Sequence, residues 1–234
     1  MIESKAWNWE VVSKDDDYWN TPDSIMYYLQ KTWSDLKYKL FLDIGCGFGR
    51  HCVFMAKNNF DVSGFDLSQH SVDVTNEKLK ENNTKAKITV ADMLEFPYEN
   101  NSFDCMLALN VINHTDTNGL KKILGEIYRC LKPNGEVYLT LGSKDTFGYK
   151  NPDNIVVDAN TRIKVEDGPE NGVPHFYIDD EDCKTMFNNF TLISVQNIRE
   201  LTMYGSWSSH YHLHLKKSIN SKSNNEIKHR DYGA

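Results

Sequence analysis

The stretch that decides the fold is Leu40-Phe41-Leu42-Asp43-Ile44-Gly45-Cys46-Gly47-Phe48-Gly49-Arg50. Its first five residues form a short apolar run with one acid, the pattern of a buried strand. Three glycines at alternate positions then let the backbone turn sharply and approach a ligand without Cβ clashes. His51 to Lys57 comes next with helical spacing, so the stretch reads strand, glycine turn, helix. A dinucleotide fingerprint starting at Gly45 would want a glycine at position 50, where Arg50 stands. Asp43, beside the turn, would repel a pyrophosphate and suits a ligand with an ammonium group.

The alternation continues downstream. Asp61 to Asp66 reads as a strand, Ser68 can cap a helix to about Glu81, and Ala86 to Ala91 is the next strand. Ser102 to Leu109 is a further strand, then a helix runs from about Asn118 to Leu131. Lys132-Pro133-Asn134-Gly135 is a turn before a strand from Glu136 to Leu141. Strands separated by helices imply a parallel sheet with helices on both faces. Upstream, Pro22 opens a helix whose apolar stripe is Ile25, Tyr28, Leu29 and Trp33, while residues 1–20 are aromatic without a clean period. After Gly142 the chain turns rich in Gly, Pro, Asn and Asp, with β-like stretches around Ile155-Val156-Val157 and Arg162 to Val165. This is too long for an ordinary connection and is expected to be a lid insertion. A helix (Asp179 to Phe187) and two strands, Thr191 to Arg199 and Trp207 to Lys216, close the domain. The expected division is an arm and helix over 1–36, a domain over 37–217 containing a lid at 144–178, and a polar tail over 218–234.

Asp66 ends the second strand about twenty residues past the glycines, where an acid bonds ribose hydroxyls, and Asp92 ends the third, where it can accept from an adenine amino group. The alternative is that each acid only caps the next helix or loop. Ligands of open α/β sheets bind at the carboxyl ends of the strands, so three acids there converge on one crevice.

Residues 40–142 resemble the class I S-adenosylmethionine-dependent methyltransferases. Phe41 to Arg50 looks like that family's first motif, Phe65-Asp66-Leu67-Ser68 its ribose-binding motif, and Ala91-Asp92-Met93 its adenine-contacting one. Phe103-Asp104-Cys105-Met106 with Asn110 to His114 is similar to the fourth-strand motif, and Leu131 to Glu136 to the turn before the fifth. The resemblance implies a Rossmann-like α/β fold, a seven-stranded mostly parallel sheet with one antiparallel strand. It implies S-adenosyl-L-methionine as cofactor, with Gly45 and Gly47 on the methionine moiety, Asp66 on ribose, and Asp92 with Met93 on adenine. The full cofactor-contacting set is expected to be Trp19, Asp43, Gly45, Cys46, Gly47, Gly49, Asp66, Leu67, Ser68, Asp92, Met93 and Asn110.

Methyl transfer is an in-line displacement in which positioning supplies much of the rate, and an N–H or O–H acceptor adds the need for a base. His114, just after the fourth strand, is the first candidate; its alternative is a histidine bonded to backbone at a helix start. His175, in Pro174-His175-Phe176-Tyr177, is the second, brought over the site by the lid; its alternative is a lid packed on itself. Trp7, Trp9, Tyr18 and Trp19 either close over the cofactor or staple the arm to the domain. His210, His212 and His214 share one face of the last strand, but no spaced carboxylate or cysteine pair completes a site, so no metal is expected. The five cysteines form no CxxC pair and read as reduced core thiols, with Cys46 the most accessible.

The formal net charge of -7 argues against a phosphate-binding face and for a small or cationic substrate. The fourth strand also lacks the Asn/Asp-Pro-Pro-aromatic run of enzymes that methylate nucleic-acid bases. No signal-peptide core or membrane-length apolar run is read, so a cytoplasmic protein is expected, monomeric or homodimeric. The leading expectation is methyl transfer to an O, N or S atom of a small molecule. A non-catalytic S-adenosylmethionine-binding module, acting as sensor or partner subunit, is the alternative. An aminopropyl transferase ranks below both, because Asn110 to His114 lacks the acids that chemistry uses.

Overall fold

The computed structural model describes residues 4–165, 168, 170–201 and 206–218; the expected tail beyond Ser218 lies outside them. A 3-10 turn at Trp9–Val11 and a short helix α1 (Asp17–Asn20) make up the arm, which leads into α2 (Ile25–Asp35). Next come β1 (Leu40–Ile44), α3 (Arg50–Lys57), β2 (Asp61–Asp66), α4 (Gln69–Glu81), β3 (Ala86–Val90), β4 (Phe103–Ala108), α5 (Thr117–Cys130) and β5 (Leu131–Ser143). Strands β3, β2, β1, β4 and β5 lie side by side and parallel. The turn read at Lys132 to Gly135 is a bulge in the first half of β5: Phe103 pairs with Leu131 and Cys105 already with Glu136, with Asn134 at φ 66°.

The remaining elements are α6 (Phe147–Lys150), β6 (Ile155–Val156), β7 (Thr161–Ile163), β8 (Pro174–Ile178), α7 (Asp180–Met186), β9 (Phe190–Leu201) and β10 (Trp207–Lys217). β10 runs antiparallel between β5 and β9, which gives the seven-stranded frame its one reversed strand. The insertion does not stand apart from this frame. Its β8 is buried throughout, pairs parallel with Gly142 and Ser143 of β5, and carries β7 and β6 beyond it.

Period-two alternation along the strands sorts the core into two layers. Leu42, Ile44, Met106, Val137 and Leu139 point to the layer closed by Leu120, Ile123 and Ile127 of α5. Phe41, Cys105, Leu107 and Tyr138 point the other way, against Met26, Leu29 and Trp33 of α2 and Cys52 and Met55 of α3. α5 holds its place through Asp116, whose carboxylate accepts from the Gly119 N–H at 2.8 Å. The functional consequence is that the carboxyl ends of the parallel strands open on one side, where the amino end of the reversed β10 joins them. Among the described residues, no helix is long and apolar enough to cross a membrane.

Candidate cofactor and acceptor site

A cavity of about 950 Å³ opens at those carboxyl ends. Gly45 and Gly47 line it with left-handed backbone, φ 63° and 52°, which is why side-chain-bearing residues are disfavoured there. Asp66 cross-links this loop to β2: its Oδ2 accepts from the Gly47 N–H and its Oδ1 from the Ser68 N–H, both at 2.9 Å. Burial raises its pKa, and the Ser68, Gly47 and Leu67 N–H groups pull it back. Each carboxylate oxygen keeps a further lone pair for a ligand hydroxyl.

Asp43 is 2% exposed and accepts from the Cys52 thiol at 3.3 Å. Burial pushes its pKa up to about 7; the Cys52 hydrogen bond and the Arg50 charge oppose that shift. A ligand cation beside it would return it to the carboxylate. Asp92, after β3, accepts from the Leu94 N–H at 2.8 Å and from the Ser4 hydroxyl at 2.9 Å. Asn110, two residues past β4, has φ 54° and is clamped by Thr140 of β5, whose hydroxyl accepts from the Asn110 N–H at 2.7 Å and donates to its Oδ1 at 3.0 Å.

The arm roofs this end. Trp9 packs on Trp7, Trp19 and Phe48 with ring centroids 4.6, 4.9 and 4.6 Å apart. Arg50 Nη1 donates to the Tyr18 carbonyl at 2.6 Å, and the guanidinium lies over the Tyr18 and Trp19 rings. The residue that breaks the dinucleotide fingerprint is therefore the one that pins the arm.

The far end of the cavity is polar. His114 comes after β4 and His175 lies on β8, their ring centroids 4.8 Å apart. The two segments are tied by the Phe176 N–H, which donates to the Asn113 carbonyl at 2.7 Å. His175 Nδ1 lies 3.0 Å from the Val173 carbonyl oxygen, which can only accept, so Nδ1 carries a proton. Nε2 is buried and lies 3.4 Å from Glu170 Oε1. Glu170 is also ion-paired with Lys164. Burial acts to raise the Glu170 pKa, but His175 and Lys164 outweigh it and hold the carboxyl well below its usual range. Burial, with the charge of His175 second, pushes the His114 pKa down to about 3, so its imidazole is neutral at physiological pH.

Of the residues expected from the sequence, Trp19, Asp43, Gly45, Cys46, Gly47, Asp66, Leu67, Asp92, Met93, Asn110, His114 and His175 all line this cavity. Gly49 and Ser68 do not. Gly49 turns the chain into α3 at φ 75°, backed by Thr75, and the Ser68 hydroxyl caps α4 by accepting from the Ser71 N–H. Cys46 is 6% exposed rather than open, and all five cysteines are free and buried. The alternating histidines separate in role. His210 lines the cavity, His212 Nδ1 meets the Tyr138 hydroxyl at 2.8 Å, and His214 Nε2 meets Glu136 at 3.0 Å. Lys164, Glu170 and Trp207 also line the cavity and were not singled out by sequence, because nothing local marks residues that only β7–β8 pairing and the β10 register bring inward.

A parallel sheet with one reversed strand, a glycine turn after β1 and acids at the ends of the next two strands define the class I S-adenosylmethionine-dependent methyltransferase fold. The comparisons with known proteins agree. Residues 41–135 match the family model described as a methyltransferase domain. The chain is 33% identical over 105 residues to phosphoethanolamine N-methyltransferase 2 of Caenorhabditis elegans, a match covering 44% of this chain and 24% of that one. The matches to the first curated relatives span between a quarter and a half of those proteins' lengths. A solved S-adenosylmethionine-dependent methyltransferase from Clostridium acetobutylicum superposes with a TM-score of 0.65 at 14% identity, over 90% of this chain and 96% of that one. The [4+2]-cyclase SpnF superposes with a TM-score of 0.64 at 16% identity, over 94% and 89%. Such likenesses show the fold, and the cyclase shows that one fold carries more than one chemistry. The cofactor of this fold class is S-adenosylmethionine. The residues present fit it: Asp43 suits the ammonium, and Asp66 and Asp92 retain acceptor capacity along the same wall.

Proposed function

We propose that the chain transfers a methyl group from S-adenosylmethionine to an O, N or S atom of a small molecule. One observation supports the reading: a single cavity has the acids Asp43, Asp66 and Asp92 at one end and the His114–His175 pair, with His175 Nε2 buried, at the other. When bound, the cofactor supplies an electrophilic methyl on a sulfonium sulfur. Asp43 would hold its ammonium, Asp66 its ribose hydroxyls, and Asp92 with Met93 its adenine. Trp7, Trp9 and Trp19 would exclude water from the sulfonium end, and their faces favour a cation. His114 and His175 would activate the acceptor by taking its proton at Nε2 of His175, the ring being held by the Val173 carbonyl. The net charge of -7 favours a small-molecule acceptor over nucleic acid, in a cytoplasmic monomer or homodimer. The relative named for phosphoethanolamine methylation offers a precedent for a small acceptor.

The test combines calorimetry with a metabolite-extract screen using labelled S-adenosylmethionine, the labelled product being identified by mass spectrometry. Binding that weakens at least tenfold in Asp66→Ala, together with a labelled small molecule, is the expected result. No binding of S-adenosylmethionine or S-adenosylhomocysteine would overturn the reading. Binding without product in any extract would replace the enzyme with a sensing module.

A further inference from the structure

We infer that His114, Glu170 and His175 form a binding site for one divalent first-row transition-metal ion at the acceptor end of the cavity. Each offers one donor atom, and the three atoms lie within 4.8 Å of one another. Among the described residues this is the group of histidines, cysteines and carboxylates with metal-holding geometry. His175 Nε2 and Glu170 Oε1 are 3.4 Å apart. That separation matches neighbouring ligands of a tetrahedral ion at ~2.1 Å, which stand roughly 3.4 Å from each other. The His114 ring meets His175 edge-on with centroids 4.8 Å apart, and its donor nitrogen lies within 4.8 Å of both other donor atoms.

The support around the donors is that of a metal site. The Val173 carbonyl fixes the His175 ring from behind, which orients Nε2 toward Glu170. Nε2 is buried and faces the Glu170 carboxylate at 3.4 Å, too long for a strong hydrogen bond and the right span for two ligands of one ion. Lys164 pairs with Glu170 Oε2 and leaves Oε1 turned to His175. Two imidazoles and one carboxylate select ions such as Zn²⁺, Mn²⁺, Fe²⁺ or Co²⁺ over Mg²⁺ or Ca²⁺, which prefer oxygen ligands. Three protein ligands leave positions open to the cavity, where an acceptor oxygen or nitrogen would bind and become more acidic. In that role, which rests on the methyltransfer reading, His114 and His175 would be ligands instead of bases, the ion would lower the acceptor's pKa, and the released proton would pass to bulk water. The binding of the ion itself does not depend on that reading.

The test uses chelator-treated protein, calorimetric titration with Zn²⁺, and visible absorption on adding Co²⁺. The expected result is one ion per chain with Co²⁺ bands, lost in His175→Ala and weakened at least tenfold in Glu170→Gln, which lies nearer the surface and spares the β8 core. Cofactor binding is measured on the same samples, so loss of the fold or failure of the methyltransfer reading is seen separately. Absence of stoichiometric ion in a protein that binds cofactor would overturn the site. Equal affinity in wild type, His175→Ala and Glu170→Gln would overturn it too, and would leave the cluster as a hydrogen-bonded acid–base group.

Discussion

Arg50 holds Tyr18: its guanidinium donates to the Tyr18 carbonyl at 2.6 Å and lies 4.9 Å from the centre of the Tyr18 ring. This one side chain, at the first position of α3, joins the glycine loop to the arm that roofs the cavity. The bond sits near the surface, so its net worth is ~1 kcal/mol, roughly fivefold in an equilibrium constant. Arg50→Ala is expected to loosen the arm and to weaken S-adenosylhomocysteine binding by about that factor. Tryptophan emission should move to the red as Trp7, Trp9 and Trp19 meet water. Unchanged emission and affinity would show that the arm docks without Arg50.

Gly47 meets the same arm from below. A Cβ on Gly47 would stand 2.8 Å from the Trp9 ring, and its φ of 52° is costly for any side chain. The backbone alone penalises Gly47→Ala by ~1–2 kcal/mol. The contact with Trp9 adds to that unless the ring shifts. We expect Gly47→Ala to lower both stability and cofactor affinity, the latter at least tenfold. Adding Trp9→Ala should recover part of the stability, because it relieves the contact and leaves the strain. A double variant no more stable than the single one would remove Trp9 from the account.

How far the sequence can be read depends on the range of the interactions involved. β1, α3, β2 and α4 announce themselves locally, through apolar runs, a glycine turn and the Ser68 cap, and the three acids inherit their positions from the strand ends. His175 and Glu170 are different. Pro174–Ile178 is a five-residue strand that pairs with β5 only at Gly142 and Ser143, and nothing in its own residues specifies that partner. Reading 144–178 as a lid misses the buried strand within it, which pairs into the frame. Arg50 is legible in the sequence as an exclusion; its positive role depends on a carbonyl thirty-two residues away.

Asp43 makes cofactor binding depend on pH. Its carboxyl, pushed up to about 7 by burial, is protonated in the free protein below that pH. A bound ammonium favours the carboxylate, so binding releases the proton and affinity rises with pH through about 7. Below pH 7 affinity should fall by up to about tenfold per pH unit, the limit for one linked proton. Calorimetry at pH 6.5 in buffers of different ionisation enthalpy reads the released proton directly. Asp43→Asn should bind more weakly at pH 8 and lose the dependence between pH 6 and 8; a variant with the wild-type profile would assign it to another group.

The buried Glu136 tests whether stability and site are separable. Its Oε2 accepts from Trp33 Nε1 at 3.1 Å and meets His214 Nε2 at 3.0 Å, joining α2, β5 and β10 across the core. All three residues are nearly inaccessible. Removing the carboxylate strands two buried polar partners, which costs ~3–5 kcal/mol when one half of a buried pair is deleted. Glu136 also lies six residues before Gly142, the point where β5 reaches the cavity, roughly 20 Å along the strand. Glu136→Ala should therefore lower Tm by roughly 10 °C or more in a domain of this size. Below that Tm, its S-adenosylhomocysteine affinity should stay within about twofold of wild type, because sites this far apart without shared partners behave additively. A large loss of affinity in a protein still folded by circular dichroism would mean that the network reaches the cavity through β5.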